Sequence, residues 1–356
     1  MIILGIETSC DETSASVIRI SRTDGFAKPL SNMVSSQIKL HARWGGVVPN
    51  LAAREHLKNI LPVIESALDT AGIGKNEIDL IAVTSGPGLI PALLVGTAAA
   101  KTLAYAWKKP LIGIHHIEGH IYANFIGKRD TDIPFPVLTL VVSGGHTQLI
   151  LMEDHLDYRI IGETQDDAVG EAFDKVARIL DLGYPGGPAI ASEAQKQPSK
   201  FARDYDISLP RPMINSGDFN FSFSGLKTAA LYATKKNEDF KKNPDFISSM
   251  SREFQQAVID VLTAKTIAAA KKYGPRSILV AGGVSANLEL QKQLQEAVKH
   301  NFPNTLFSCP EPAFQLDNAA MIAAAAYFRC QKTGLRGLSD GWKNTKTDAN
   351  LKMSDR

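Results

Sequence analysis

One pattern occurs twice in this 356-residue chain and limits what it can fold into. Ile2–Ile6 is an apolar run, Thr8-Ser9-Cys10-Asp11-Glu12-Thr13 is polar and hydroxyl-rich, and Ala15–Ile20 is apolar again. Val137–Val142, Ser143-Gly144-Gly145-His146-Thr147 and Gln148–Met152 repeat that order. Short apolar runs bounded by Ser, Gly and Asp read as paired strands. A strand–turn–strand unit near the start of each half reads as an internal duplication. The segments after each hairpin alternate strand with helix. Strands are expected at Ile78–Thr84, Leu111–Ile114 and Ser277–Ala281, and helices at Ala52–Ala71, Ala92–Trp107, His115–Phe125, Ala168–Leu180, Phe254–Tyr273, to about His300, and Asn318–Phe328. The fold class is therefore α/β, with about two domains for this length.

Composition narrows the class. With 44% apolar and 21% charged residues the chain has a sizeable core and is neither disordered nor fibrous. The formal charge of +2 does not announce nucleic-acid binding, so RNA contact would need local basic surface. Lys235-Lys236, Lys241-Lys242 and Lys271-Lys272 with Arg276 are the candidates, each also explained as a solvated helix face. Cys10, Cys309 and Cys330 form no CxxC pair, which fits a reducing cytoplasm. The first residues lack a charged leader and no apolar run is long enough to span a bilayer, so no membrane segment is expected.

Two residue patterns point to chemistry. The first is His115-His116-Ile117-Glu118-Gly119-His120, in a stretch holding five of the eight histidines. His116 and His120 share a helix face, the spacing of a two-histidine metal clamp. A zinc protease would need Glu directly after the first His, where Ile117 stands. Glu118 falls roughly 200° round the helix and points away from the His face. Asp317, at the entry to an Ala-rich helix, is the best third ligand, and an N-cap explains it equally well.

The second pattern is a set of glycine turns at Ser143–Thr147, Gly186-Gly187 and Gly282–Asn287. Such turns let backbone N–H groups approach an anion. Two polar hairpins followed by a strand–Gly-Gly–helix element suggest a nucleotide cleft, the hairpins facing the phosphates and the last turn the adenosine. There is no Walker-type loop and no Rossmann fingerprint. Asp166, Asp167, Glu171 and Asp174 form one polar helix face or a ribose-binding cluster.

These residues resemble the tRNA threonylcarbamoyltransferases, a family once described as O-sialoglycoprotein endopeptidases. The resemblance runs from Gly5-Ile6-Glu7-Thr8-Ser9-Cys10-Asp11-Glu12-Thr13 through Gly45-Gly46-Val47-Val48-Pro49, Ala53-Arg54-Glu55-His56, Gly86-Pro87-Gly88-Leu89 and His115–His120. It continues through Ser143–Thr147, Gly170–Lys175, Tyr184–Pro188, Phe221–Lys227, Gly282–Asn287 and Asp317-Asn318, about residues 2 to 330. It implies a two-lobed fold of the actin/Hsp70/sugar-kinase (ribonuclease H-like) type around a nucleotide cleft. The lobes would be residues 1–115, completed by a helix at about 316–330, and 116–315 with a helical insertion at about 190–250; a polar, fraying tail would follow at 332–356.

The implied reaction transfers a threonylcarbamoyl group from threonylcarbamoyl-AMP to N6 of adenosine 37 in tRNAs that read codons starting with A. His116, His120 and Asp317 would hold one Fe2+ (or Zn2+). Val141, Val142, Ser143, Gly144 and Gly145 would line the donor, and Asp174, Gly187 and Asn287 would hold its adenosine. Asp11 or Glu12 would accept the amine proton. Ala191 stands where many members carry an acidic residue, so a ribose contact there is not expected. The implied partners are tRNA, a shorter inactive paralogue and a P-loop ATPase. A metalloprotease and a non-catalytic actin-like scaffold are the alternatives.

Overall fold

The computed structural model describes residues 1–196, 205, 207–237, 239, 241–338 and 340–353. The chain divides into two compact units. Unit 1 is Met1–Pro134, Glu153–Tyr158 and Cys309–Arg356; unit 2 is Phe135–Met152 and Arg159–Ser308.

Unit 1 is built on β1 (Ile2–Glu7), which pairs antiparallel with β2 (Glu12–Ile20), itself antiparallel to β3 (Ala27–Ser36). β3 escapes sequence reading because it is polar and carries Pro29, tolerated here at a sheet edge beside the register shift at Val17/Ile18. A short α1 (Ile38–His41) leads to α2 (Pro49–Ala71). β4 (Leu80–Gly86), α3 (Ile90–Trp107), β5 (Leu111–His115) and α4 (His116–Tyr122) follow. β4 runs parallel to β1 and β5 parallel to β4, giving the order β3-β2-β1-β4-β5. Strand alternation sorts β1: Leu4 and Ile6 join Ile60, Ile64, Val83 and Val95 in one buried cluster with α2 and α3. Each such side chain contributes roughly 1.5–3 kcal/mol.

Unit 2 repeats the topology. β6 (Val137–Val142) pairs antiparallel with β7 (Thr147–Met152), and β8 (Tyr158–Glu163) lies beyond β7. Then come α5 (Val169–Ile179), α6 (Gly186–Gln195), α7 (Ser224–Lys236) and α8 (Pro244–Tyr273). β9 (Ser277–Ala281) is parallel to β6, and after α9 (Leu288–Asn301), β10 (Leu306–Ser308) is parallel to β9. The order β10-β9-β6-β7-β8 matches β5-β4-β1-β2-β3 of unit 1 strand for strand. The expected duplication is thus real, and it extends to five strands where the sequence shows hairpins. Of the polar stretch Gln195–Asp218, residues 197–204 and 206 lie outside the described residues.

The chain then returns to unit 1 with α10 (Ala319–Thr333) and α11 (Gly341–Asn344). α10 is buried over most of its length, as an all-round apolar helix must be. It packs on β1, β2 and α4. Gly5, between Leu4 and Ile6, faces it: a Cβ there would stand 2.2 Å from the Ala319 carbonyl oxygen. The first unit runs past His115 to Pro134, because α4 belongs with α10. The fraying expected from Lys332 onward is not what the structure shows for residues 340–353. Trp342 meets Tyr105 of α3 edge-on at 5.0 Å and Met353 is buried. Trp342 is partly buried against the apolar cluster of unit 1, and such a large aromatic ring favours docking over fraying.

Candidate metal centre and glycine turns

α4 starts directly from β5, and its N-terminus is capped by His115, whose Nδ1 accepts from the Ile117 N–H. The i, i+4 spacing places His116 and His120 on one face, their rings 4.6 Å apart edge-to-face. α10 approaches α4 closely at Gly119, where a Cβ would lie 2.7 Å from Ile322 Cδ1. That approach delivers Asp317, two residues before the start of α10. Its Oδ1 is 3.1 Å from His120 Nε2 and 3.6 Å from His116 Nε2. The N-cap alternative for Asp317 falls, because Asn318 caps α10 by accepting from the Met321 N–H. Among the described residues, His116, His120 and Asp317 are the one group whose ligand atoms converge, all within 4.8 Å of one another.

The donor set fits a divalent transition metal. Two imidazoles and one carboxylate suit Fe2+ or Zn2+, and ligand distances of ~2.1 Å place neighbouring donor atoms ~3–3.5 Å apart. Both ring nitrogens of His120 are buried and make no hydrogen bond, its 3.1 Å approach to Asp317 included. A buried imidazole left that way is costly unless something else occupies it.

Glu7, at the end of β1, completes the centre, and sequence reasoning missed it. Its Oε2 accepts from His116 Nδ1 at 3.1 Å and from Thr84 Oγ1 at 2.5 Å, and its Oε1 accepts from the Ser9 N–H. The signal was in the alternation: Glu7 lies on the same face of β1 as Gly5, the face that meets α10. With Nδ1–H committed to Glu7, His116 turns its Nε2 towards Asp317. Burial opposes charge on His116, but Asp317 and Glu7 outweigh it and raise its pKa to about 9. Burial likewise opposes charge on Asp317, and His116 and His120 overcome it, lowering its pKa to about 2.

Glu118 is where the sequence put it, away from the His face. Both its carboxylate oxygens accept from Arg329, at 2.6 Å from Nε and 2.5 Å from Nη2. A carboxylate held in that fork is no base for a metal-bound water, which removes the protease's essential group.

The first polar turn carries Asp11 and Glu12, both buried. Burial and the neighbouring Asp11 raise the Glu12 pKa to about 10, so it is uncharged at neutral pH and Ser36 Oγ donates to it. The raised pKa weakens Glu12 as a proton acceptor beside Asp11. His56 pins this turn: its Nε2–H donates to the Cys10 carbonyl and its Nδ1 accepts from Thr13. Burial and Asp11 hold the Cys10 thiol protonated.

In unit 2 the second polar turn is closed by Ser143, whose N–H bonds the His146 carbonyl and whose Oγ accepts from the His146 N–H. Gly170 and Gly282 brace it: their Cβ atoms would fall 2.7 Å from the Ser143 and 2.5 Å from the Val142 carbonyl oxygens. Gly144, Gly145 and Gly187 are different, for a Cβ on each would meet nothing within 4 Å. Packing does not demand glycine there. Val141 and Val142 are fully buried in β6, so their side chains hold the turn. Asp174 Oδ1 accepts from the Gly186 N–H at 2.7 Å and secures the start of α6. Asn287 caps α9 through Oδ1 and donates from Nδ2 to Gln255. Asp167 and Glu171 pair with Lys175, and Asp166 accepts from the Ser222, Phe223 and Ser224 donors ahead of α7. Each of these carboxylates has a partner within unit 2.

The sequence model described as tRNA N6-adenosine threonylcarbamoyltransferase (TsaD) matches residues 28–324. The chain belongs to this family. It is 48% identical to the Thermomicrobium roseum tRNA N6-adenosine threonylcarbamoyltransferase over 93% of each chain. It is 49% identical to that of Staphylococcus haemolyticus, over 93% of this chain and 92% of the relative. The Bacillus subtilis enzyme is 48% identical over 96% and 93%. Among solved structures, HypF from T. kodakarensis aligns with TM-score 0.58 at 12% identity, over 95% of this chain and 49% of that one. A full-length HypF in a phosphate- and nucleotide-bound form aligns with TM-score 0.54 at 12% identity, over 94% and 47%. Those likenesses are of fold, and with the two matching sheets they bear out the duplicated α/β fold of actin/Hsp70/sugar-kinase type.

Proposed function

We infer that this chain performs the reaction that names its family, forming N6-threonylcarbamoyladenosine at position 37 of tRNA. The N6 amine of adenosine attacks the carbamoyl carbon of threonylcarbamoyl-AMP, the C–O bond to phosphate breaks, AMP leaves with its electron pair, and the amine proton passes to a base. An aryl amine is a weak nucleophile, so positioning and polarisation carry much of the rate.

In unit 1, His116, His120 and Asp317 hold one Fe2+, with Zn2+ the alternative. When bound, such an ion supplies Lewis-acid stabilisation of donor oxygens. Glu7 acts as a positioning residue, fixing the His116 ring and its tautomer. Asp11 takes the amine proton; Glu12, uncharged, supports the turn. In unit 2, backbone N–H groups of Gly144 and Gly145 stabilise negative charge on the donor, while the Ser143 N–H, bonded to the His146 carbonyl, holds the turn in shape. The open space over Gly144, Gly145 and Gly187 supports this, with Asp174 and Asn287 shaping the turns that receive the adenosine.

The partners are tRNA, the shorter inactive paralogue and a P-loop ATPase. The near-zero net charge supports shared RNA binding, since the basic pairs are dispersed. Lys235 and Lys236 end α7, and Lys271 and Lys272 end α8, where cations also complement the helix dipole. No helix among the described residues is long and apolar enough to cross a membrane. The three free cysteines support a cytoplasmic setting.

The convergence of His116, His120 and half-buried Asp317 beside Glu7 carries this reading. Its test supplies threonylcarbamoyl-AMP and unmodified tRNA to the purified protein with its partners. His116→Ala and His120→Ala should each lose bound metal and more than ~100-fold of transfer activity. Full activity in either variant would overturn the metal role.

A further inference from the structure

Residues 345–351 run across the ends of β4 and β5 in unit 1. The Asp348 N–H donates to the Ser85 carbonyl at 2.8 Å, and the Gly88 N–H donates to the Ala349 carbonyl at 3.2 Å. The segment lies so close that a Cβ on Gly86 would fall 1.9 Å from the Asp348 carbonyl oxygen, and one on Gly113 would be 3.0 Å from Thr345 Cγ2. At its end, the Leu351 carbonyl accepts from His115 Nε2–H at 2.9 Å. That bond puts the ring proton on Nε2, because a carbonyl can only accept. Nδ1 is then a lone pair, which is what the Ile117 N–H needs from the N-cap of α4.

We propose that Thr345–Leu351 is a positioning strap for the metal helix. The Leu351 carbonyl selects the His115 tautomer, and His115 in that tautomer caps α4 and so orients His116 and His120. This rests on the metal reading above. α4 is only seven residues long, and a helix that short does not hold itself. Glu118 ties it to α10 through Arg329, and His115 ties its first turn. In the opposite tautomer Nδ1–H would face the Ile117 N–H, donor against donor, and the first turn would open. His115 and the strap are positioning elements; neither is a ligand.

Four full-length or shortened chains test this: wild type, a chain ending at Asn344, His115→Asn, and the two changes together. Asn has a side-chain oxygen that caps without a choice of tautomer. One readout is hydrogen exchange at the Ile117 amide; the other is Co2+ affinity from its ligand-field absorption under chelator competition. Ending the chain at Asn344 should speed Ile117 exchange and weaken Co2+ binding about tenfold. In the His115→Asn background the same truncation should cost less than about threefold in both. Unchanged exchange and affinity on truncation, or an equal cost in both backgrounds, overturns the proposal. If intact wild type binds no Co2+, the metal reading fails by itself; faster Ile117 exchange in the shortened chain would still uphold the strap, and unchanged exchange would remove it.

Discussion

The two polar hairpins occupy the same place in two sheets of the same order, yet they offer opposite chemistry. The β1–β2 turn is filled with side chains: Glu7, Ser9, Asp11 and Glu12 are all buried there, and His56 and His116 close over it. The β6–β7 turn instead exposes two glycines, Gly144 and Gly145, with Ser143 bonded across it. One hairpin presents carboxylates, which suits a cation and a proton acceptor. The other presents backbone amides, which suit an anion. Duplication conserved the topology, and the turn residues divided the work.

That contrast can be broken by substitution. The largest effect is expected at Glu7 in the side-chain hairpin. Glu7→Gln removes the charge and leaves one acceptor oxygen where His116, Thr84 and Ser9 all donate, and it should lower metal affinity by 10- to 100-fold, roughly the cost of losing such an orienting partner. Equilibrium dialysis against Zn2+ checks it, and an unchanged affinity would reduce Glu7 to a structural residue. In the backbone hairpin, Gly144→Ala should leave thermal stability within about 0.5 kcal/mol, since its Cβ meets nothing, while weakening threonylcarbamoyl-AMP about tenfold. Gly282→Ala should do the reverse, costing at least ~2 kcal/mol, because its φ is +90° and its Cβ would strike the Val142 carbonyl. Denaturant titrations beside donor-binding isotherms separate the two glycines.

The smallest effect is a pH dependence at Glu12. Its carboxyl titrates near 4.5 in the unfolded chain and about 10 in the folded one. The penalty for folding it is therefore absent below pH ~4.5 and grows as pH rises towards 10. Glu12→Gln should match wild type at pH 4.5 and exceed it by on the order of 1 kcal/mol at pH 8. Equal stability of the two chains at both pH values would show that Glu12 folds as a carboxylate.

How far the site could be read in advance differed residue by residue. His116 and His120 were legible because helical spacing alone puts them together. Glu118 was excluded by the same geometry, and Arg329 supplies the reason it stays out. Asp317 was legible as a candidate only, since ligand and N-cap look alike in one dimension; Asn318 taking the cap removes the second reading. The acidic run from Asp166 to Asp174 invited a ribose-binding role, and the structure adds that its oxygens also meet Lys175 and the starts of α6 and α7. Glu7 and His56 were passed over because their partners lie far along the chain. β3 was missed because an edge strand needs neither alternation nor apolar residues to pair.

The amino-acid sequence by itself determined the local periodicities: two strand–turn–strand units, a helix with histidines four apart, and glycines where backbone must come close. These follow from bond geometry and near-neighbour sterics. Only the tertiary structure decided which carboxylate faces which imidazole, which glycines are packed and which are open, and that a polar C-terminal segment is bound down against His115. Those outcomes depend on burial and on partners more than a hundred residues apart. Their energies exist only once solvent has been excluded between the elements that carry them.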